Sequence, residues 1–274
     1  MTRGPVRLVA TDLDGTLLRA DRTVSPRTRA AVAALAARGV PVVPVTARQP
    51  FGLRAIAEQA GLTGWALCSN GALGLHLTTG EVVFEHTITA AAQQALTAAL
   101  VPALPGVRFA SVRDRGDVFV AQDGYPPLAD FEDHKRDPAT MRTAPLAEVV
   151  AAPSLKLVAR HPDLAVPALV EAIRGLGLDG FGVTHSGAPF AEVLPAGHDK
   201  SVGLAQLCAH LGVPRESVLA FGDAPNDVEM LSWAGHGVAV ANAAPQTLAV
   251  ADEVTSDHEH DGVALVLERV LGEL

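Results

Sequence analysis

Two short acidic clusters stand out among the polar residues of this chain. The first is Asp12-Leu13-Asp14-Gly15-Thr16, where two carboxylates are two residues apart. Side chains at this spacing in extended backbone point the same way, so Asp12 and Asp14 can flank one reacting centre. Gly15 permits a sharp turn and a close approach of the backbone to a ligand. An Asp-Gly pair alone would also suit an ordinary turn.

The second cluster is Asp223-Ala224-Pro225-Asn226-Asp227. Two carboxylates and an amide within so short a segment suit an oxygen-preferring divalent ion such as Mg²⁺. The alternative is a helix cap, because Asp223 or Asn226 could fill an N-cap position. The presence of the first cluster favours the metal interpretation.

Two groups that could bind phosphate lie between the clusters. Thr46, followed by Arg48, offers a hydroxyl and nearby backbone amides, and Lys200 offers a compact positive charge. The chain has 21 basic residues, and only Lys135, Lys156 and Lys200 are lysines. Each group alone is typical of a structural or solvated position, but the four groups in this order indicate a phosphate site.

These groups follow short apolar runs that are typical of strands. The predicted strands are 6–11, 40–45, 65–68, 218–221 and 237–240. Helices are predicted between them, the first beginning at the N-cap Ser25 with Pro26 and ending before Gly39. Pro41 and Pro44 predict local irregularity in the second strand. The alternation predicts an α/β fold, a doubly wound parallel sheet with helices on both faces.

The middle of the chain has a different order of strands and helices from the two ends. This order predicts an inserted α+β domain at 76–190, with 1–75 and 191–274 forming the core. Helices are expected at 89–101 and 162–176, and strands at 107–112, 117–121, 155–159, 181–185 and 190–194. Lys156 falls within one of these strands, where its amine could contact the substrate or reach solvent, and we favour solvent.

The motifs resemble those of haloacid dehalogenase superfamily phosphatases of the Cof-like branch. The matching residues are Asp12 to Thr16 for the first motif, Thr46 for the second, Lys200 for the third, and Gly222, Asp223, Asn226 and Asp227 for the fourth. Further branch signatures are matched by 69–72, 242–243 and 261–263. The resemblance covers almost the whole chain and is weakest in its middle.

A few positions depart from the branch pattern. Ala47 and Ser201 stand where the branch usually has glycine, and Val240-Ala241 replaces the usual Met-Gly before Asn242. These departures concern backbone fit and substrate preference, and leave the charged groups intact. The resemblance implies a Rossmann-like core with a large C2-type α/β cap, inserted after the second motif, which closes over a small substrate.

The resemblance also implies roles for individual residues. Asp12 would be the nucleophile, and Asp14 the general acid and base. Mg²⁺ would be held by Asp12, the backbone carbonyl of Asp14, Asp223 and Asp227. Phosphate would be bound by Thr46, Lys200, Gly15 and Asn226. Candidate substrate contacts are Arg48, Asn70 and Gly71, together with His185 and Ser186, which lie near the predicted junction of cap and core.

Composition narrows the classes of partner. The net charge of −9 argues against nucleic acid, which requires a basic face. The two cysteines, Cys68 and Cys208, are flanked by apolar residues and are expected to be buried free thiols. A strand begins soon after Met1, and no apolar run reaches the ~18 residues of a membrane span. We therefore expect a cytoplasmic monomer or homodimer that binds a small phosphorylated metabolite.

Three functions fit these features. The favoured one is a phosphatase for sugar phosphates or similar metabolites. The second is a phosphomutase or phosphotransferase using the same aspartyl phosphate, and the third is a non-catalytic binding protein, which the intact Asp12 and Asp14 disfavour. The segment 257–261, Asp-His-Glu-His-Asp, resembles a metal site but is expected to be a solvated loop.

Overall fold

The computed structural model describes residues 5–274. The strands are β1 (Leu8–Thr11), β2 (Val42–Pro44), β3 (Trp65–Cys68), β4 (Leu73–His76), β5 (Val82–Glu85), β6 (Arg108–Arg113), β7 (Val118–Gln122), β8 (Thr143–Ala144), β9 (Lys156–Arg160), β10 (Phe181–Thr184), β11 (Ala191–Pro195), β12 (Val218–Gly222), β13 (His236–Val240) and β14 (Glu253–Thr255). The α-helices are α1 (Pro26–Ala37), α2 (Pro50–Ala60), α3 (Ala90–Ala103), α4 (Phe131–His134), α5 (Leu146–Val149), α6 (Val166–Arg174), α7 (Lys200–Leu211), α8 (Val228–Trp233), α9 (Pro245–Val250) and α10 (Gly262–Glu273).

Two compact units divide the described chain. The core unit comprises the described residues up to Arg48, together with Leu53–Phe84 and Asp199–Leu274. It contains a five-stranded sheet in the order β14-β13-β12-β1-β2, with every neighbouring pair parallel. Helix α1 packs against α10, and α7 packs against α8. The predicted doubly wound α/β fold is confirmed.

The first helix begins and ends as the sequence predicts. The Ser25 hydroxyl accepts a hydrogen bond from the Thr28 amide at 2.9 Å, and Pro26 is the first helical residue. Gly39, just beyond the end, has a φ of +76°. These residues begin and end α1, and the chain then continues directly into β2.

Pro44 lies within β2 without breaking its pairing to β1. The Val45 amide donates to the Thr11 carbonyl on the β1 side, whereas the Thr46 amide donates to Leu67 on the opposite side. Because alternate residues of a strand direct their amides to opposite neighbours, the nitrogen of Pro44 faces away from β1. The irregularity expected here therefore leaves the ladder between β1 and β2 intact.

Strands β3, β4 and β5 form a small sheet, of which β3 alone was predicted. It extends the core unit to Phe84, beyond the predicted start of the insertion at residue 76. The ring of Phe84 lies over Gly74 in β4, where an added Cβ would be only 2.8 Å from ring carbons. Two further strands were missed: the two-residue β8 and the three-residue β14, each at the edge of its sheet.

The inserted unit comprises Glu85–His198 together with Gln49–Gly52. Its sheet has the order β10-β11-β9-β6-β7-β8, antiparallel except for the β7–β8 pair. Residues of α3 and α6, among them Leu96 and Ile173, join one apolar cluster of this sheet. A second cluster includes Tyr125, which belongs to the excursion 123–142 between β7 and β8. The predicted α+β character of the insertion is thus present.

The predicted end of the insertion, at residue 190, falls too early. Strand β11 begins at Ala191 and pairs with both β9 and β10, so it belongs to the inserted sheet. The strand expected at 190–194 of the inserted domain is therefore present, and the predicted boundary at residue 190 cuts it off from that domain. The chain leaves the inserted unit after His198.

The expectation that Lys156 reaches solvent is wrong. Its side chain is buried, and its Nζ lies 2.6 Å from Oε1 of the fully buried Glu192. Glu192 lies opposite Val158 in the register, which places it diagonal to Lys156 on the neighbouring strand. A buried carboxylate on β11 therefore holds the amine inside the unit, because a paired charge can remain buried.

The two cysteines are buried free thiols, as predicted. Burial raises the pKa of the Cys208 thiol to about 11. Within residues 5–274, no helix is both long and apolar enough to cross a membrane.

Candidate active site

Asp12 lies directly after β1, a central strand of the parallel sheet. Its amide donates to the Phe221 carbonyl of β12 at 3.0 Å, and its carbonyl accepts the Thr11 hydroxyl at 2.7 Å. Because β1 and β12 are adjacent and parallel, the residues that follow them meet at one edge of the sheet. This topology brings Asp12 next to the second acidic cluster.

Three carboxylates meet at that edge. One oxygen from each of Asp12, Asp223 and Asp227 lies within 4.8 Å of the others. The second oxygen of Asp227 accepts the amides of Asp223 and Ala224, both at 3.0 Å. Asp227 thus caps the turn and contributes to the cluster at the same time. In the part of the chain that the structure describes, no other group of His, Cys, Asp and Glu side chains meets this criterion.

Lys200 connects two of these carboxylates. Its Nζ lies 2.6 Å from Oδ1 of Asp12 and 2.6 Å from Oδ1 of Asp227, and the side chain is fully buried. Burial alone would lower the pKa of Lys200, but the two carboxylates outweigh it and the pKa is raised. Asp199 fixes the start of α7 by accepting the amides of Ser201 and Val202.

The carboxylates carry more negative charge than Lys200 can balance. Burial is the largest cause of the raised pKa of Asp12, and Asp227 and Asp223 add to it while Lys200 opposes it. Burial, followed by repulsion from Asp227, raises the pKa of Asp223 to about 7. Raised carboxyl pKa values in an all-oxygen donor set fit a site for an additional cation.

An unpartnered amide oxygen lies beside this cluster. Oδ1 of Asn226 is buried, and no hydrogen-bond partner for it exists among the described residues. Its Nδ2 donates to Oδ1 of Asn70 at 2.8 Å. A buried acceptor left open next to three carboxylates supports the fit of a hydrated divalent ion, whose waters donate hydrogen bonds.

The turn after Asp12 packs tightly against the second cluster. Gly15 has a φ of +81°, and a Cβ there would lie 2.5 Å from Oδ2 of Asp223. Thr16 donates its hydroxyl to Oδ1 of Asp223 at 2.7 Å. Asn242 donates to the Gly15 carbonyl at 2.8 Å. The sequence assigned no role to Thr16 or Asn242, although both belong to motifs that the resemblance matched.

Asp14 and Arg48 form a bidentate ion pair. Nε and Nη2 of Arg48 lie 2.6 Å and 2.5 Å from the two oxygens of Asp14. The carboxylate of Asp14 is 45% exposed and lies outside the three-carboxylate cluster. Thr46 supports this arrangement, because its hydroxyl oxygen accepts the Arg48 amide at 3.1 Å. Arg48, predicted as a substrate contact, thus orients Asp14 in this structure.

The segment containing Asn70 and Gly71 is buried and packs against the start of α7. Ser69, Asn70 and Gly71 all have positive φ values. A Cβ at Gly71 would lie 2.6 Å from the Asp199 carbonyl oxygen. Asn70 thus supports Asn226, and Gly71 packs against the start of α7, while their contact with substrate stays a prediction.

The remaining candidate residues lie in the inserted unit or outside the cluster. His185 and Ser186 directly follow β10, and both are half-buried. Burial lowers the pKa of His185. The loop 257–261 is a capped turn, in which Asp257 accepts the amides of Glu259 and His260.

A model of the haloacid dehalogenase-like hydrolase family matches residues 9–267. The chain belongs to this family. The HMP-PP phosphatase of Cronobacter sakazakii is 30% identical over 89% of this chain and 87% of its own length. The 5-amino-6-(5-phospho-D-ribitylamino)uracil phosphatase of Bacillus subtilis is also 30% identical, over 95% of this chain and 96% of its own length.

Solved structures show the same fold. A haloacid dehalogenase-like hydrolase from Bacteroides thetaiotaomicron has a TM-score of 0.76 at 25% identity, covering 97% of this chain and 99% of the other. A phosphatase of the same superfamily from that organism reaches a TM-score of 0.82 at 23% identity, covering 98% and 96%. The predicted family and the α/β core with its insertion are therefore confirmed.

Proposed function

We propose that this chain, a phosphatase of the haloacid dehalogenase-like family, hydrolyses a small phosphorylated metabolite through an aspartyl phosphate on Asp12. The observation that carries the proposal is the arrangement of Asp12, Asp223 and Asp227 around Lys200. It combines a buried carboxylate at the end of a central strand with an oxygen donor set that fits a divalent cation. Mg²⁺ is the proposed ion, because it prefers carboxylate ligands and phosphate oxygens.

Asp12 carries the covalent step. Lys200 holds its Oδ1, and we assign the attack on phosphorus to Oδ2. A bond forms between this oxygen and phosphorus while the bond from phosphorus to the substrate oxygen breaks. Water then attacks the same phosphorus, the bond to Asp12 breaks, and inorganic phosphate leaves. The carboxylate of Asp12 is regenerated without any other reactant.

Asp14 carries the proton in both steps. It donates a proton to the leaving oxygen in the first step and takes one from the attacking water in the second. Its exposure suits a group that exchanges protons, and Arg48 orients it while it is ionised. The bound Mg²⁺, held by Asp12, Asp223, Asp227 and the carbonyl of Asp14, would offset the repulsion between an anionic nucleophile and an anionic substrate.

The substrate class proposed is a sugar phosphate or a similar small phosphate ester. By their names, the two relatives described above are phosphatases of HMP-PP and of 5-amino-6-(5-phospho-D-ribitylamino)uracil. We propose that Thr46 and Lys200 contact the phosphate group. We further propose that His185 and Ser186 of the inserted unit contact the remainder of the substrate.

The test is phosphate release by Asp12→Asn. With an aryl phosphate and Mg²⁺, and with no acceptor other than water, the wild-type protein should release inorganic phosphate. Asp12→Asn should lower this rate at least about a thousandfold while the fold is preserved, because an amide is a poor nucleophile of nearly the same shape. Asp163→Asn, at an exposed position of the inserted unit, should keep the wild-type rate. Normal release by a folded Asp12→Asn protein would contradict the mechanism.

A further inference from the structure

A second candidate site lies wholly within the inserted unit. A cavity of about 370 Å³ is lined by residues of β7, of the excursion 123–142 and of the segment Gln49–Gly52. This volume is in the range of small-ligand pockets. The charged side chains in the lining are Lys135, Arg136, Arg142 and Asp117, so cations outnumber carboxylates.

Two of these cations already have carboxylate partners. Lys135 pairs with Glu132 and Arg142 pairs with Glu148, each at 2.5 Å. Their charges are therefore largely balanced within the unit. Arg136 is the cation that the local ion pairs do not balance.

Arg136 is held in place by contacts that leave its charge uncompensated. Its Nη2 donates to the Gly116 carbonyl at 3.0 Å. Its guanidinium lies 5.5 Å from the ring centroid of Phe51 and 5.6 Å from that of Phe119. Within the described chain, no carboxylate lies within ion-pair distance of it. A guanidinium has five N–H donors, so most of them remain available to a ligand.

The other residues that line the cavity indicate that an anionic ligand would also have an apolar part. Phe51, Val118, Phe119 and Met141 contribute apolar surface, and Phe51 is 58% exposed. An arginine positioned by aromatic rings suits bidentate recognition of a planar or tetrahedral oxyanion. The exposed ring offers a flat surface on which an apolar part of the same ligand can stack.

We propose that this cavity binds a small molecule with a phosphate or carboxylate group attached to an apolar, planar body. Arg136 binds the oxyanion, and Phe51 and Met141 contact the body. The site does not depend on the proposed phosphatase mechanism, because none of its residues belongs to the carboxylate cluster. The ligand could be the far end of an enzyme substrate or a separate metabolite, and both share this chemistry.

Methionine methyl NMR tests the proposal directly, because the chain has only three methionines. Met141 lines the cavity, and Met230 lies fully buried in α8 of the core unit. Titration of ¹³C-methyl-Met protein with phenylphosphonate, which cannot be hydrolysed, should shift the Met141 signal to saturation. Met141→Leu assigns that signal, and Met230 reports binding to the core unit separately.

Arg136→Gln should weaken binding at the Met141 signal at least about tenfold, because a charge-assisted contact is lost. Arg136→Lys should weaken binding less, because it keeps the positive charge and loses only the paired N–H donors of the guanidinium. This variant also tests the proposal if Arg136→Gln does not fold. Arg174→Gln, an exposed arginine in α6 paired with Glu171, is the matched control and should not change binding. The absence of a saturable Met141 shift in the wild type would overturn the proposal. So would a phenylphosphonate affinity in both Arg136 variants that equals that of the wild type.

Kinetics then identify the source of the ligand. If the site binds the far end of a substrate, Arg136→Gln should raise KM for substrates with a second anionic group and leave phenyl phosphate turnover unchanged. If it binds a separate metabolite, KM should be unchanged for both kinds of substrate while the NMR result stands.

Discussion

Lys200, which we propose contacts the phosphate, is fully buried between Asp12 and Asp227. Desolvation of the amine and of both carboxylates is costly, and the pairing offsets that cost only while all three charges are present. The lysine therefore has a structural role as well as its proposed contact with phosphate.

Lys200→Met should destabilise the protein by about 3–5 kcal/mol, because the buried carboxylates lose their counterion. Urea unfolding without metal would measure this loss, and added Mg²⁺ should recover part of it. Lys135→Met, which breaks a more exposed pair with Glu132, should cost no more than ~1 kcal/mol. Equal losses in the two variants would contradict the buried-charge argument.

The lowered pKa of His134, in the inserted unit, predicts that the stability of the protein depends on pH. Burial, followed by the charge of Lys156, lowers its pKa to about 3, and Arg160 and Arg136 act in the same direction while Asp133 opposes them. The unfolded chain titrates at about 6.5. The neutral ring is therefore favourable above pH ~6.5, and its contribution is lost as the pH falls from there toward 3.

Between pH 6 and 4 this group should cost up to ~1.4 kcal/mol of stability per pH unit. His134→Gln should reduce that acid sensitivity, whereas His260→Gln, at a side chain that is 77% exposed, should not. Denaturant unfolding at several pH values measures the effect. In NMR the His134 ring signals should stay constant from pH 5 to 8, and a titration in that range would show the ring to be accessible.

At the scale of elements, the start of α7 depends on a close contact between two glycines. A Cβ at Gly203 would lie 2.4 Å from the carbonyl oxygen of Gly71, so an added methyl group must displace the helix or the turn. Since Lys200 is in the first turn of α7, such a displacement would move its amine away from Asp12.

Gly203→Ala should therefore lower both Tm and kcat. Gly212→Ala is a control at the cap of the C-terminal end of α7, where an added Cβ meets nothing within 4 Å but φ is +65°. That variant should cost roughly 1 kcal/mol of stability through backbone strain and leave kcat unchanged. Thermal unfolding and initial rates would distinguish them, and an unchanged kcat in Gly203→Ala would show that Lys200 tolerates the shift.

The sequence predicted the elements whose signals are local. Apolar runs ending in polar residues predicted β1 and β12, and the family resemblance implied that Asp12 and Asp223 hold the same ion. Pairings between distant residues could not be predicted in this way. Lys156 and Glu192 are 36 residues apart, and their contact depends on a strand register that periodicity does not specify.

Sequence patterns likewise could not predict which side chains of the candidate site contact one another. The bidentate contact of Arg48 with Asp14 depends on side-chain rotamers as well as on strand position. The support of Asn226 by Asn70 joins residues 156 positions apart. Motifs therefore predicted most of the residues of the candidate site, whereas their hydrogen bonds and ion pairs required the folded chain.

For the whole molecule, metal binding should raise stability as well as permit turnover. An ion that binds the folded carboxylate cluster stabilises the protein by about 1.4 kcal/mol at ten times its dissociation constant. EDTA should abolish phosphate release and lower Tm, and Mg²⁺ should restore both, with Ca²⁺ a poor substitute because it prefers more ligands. Asp223→Asn should lose most of the Mg²⁺-dependent Tm shift, and Asp163→Asn should keep it. Full activity in metal-free buffer would contradict the metal assignment.

The two buried thiols have a practical consequence for spectroscopy. Cys68 and Cys208 are both in the core unit and inaccessible to solvent, and the raised pKa of Cys208 keeps it protonated at neutral pH. Maleimide and methanethiosulfonate reagents need an exposed thiolate. New cysteines placed on exposed positions of each unit can thus be labelled without removing the native ones. Dye pairs or spin labels attached there would measure the distance between the two units as ligands are added.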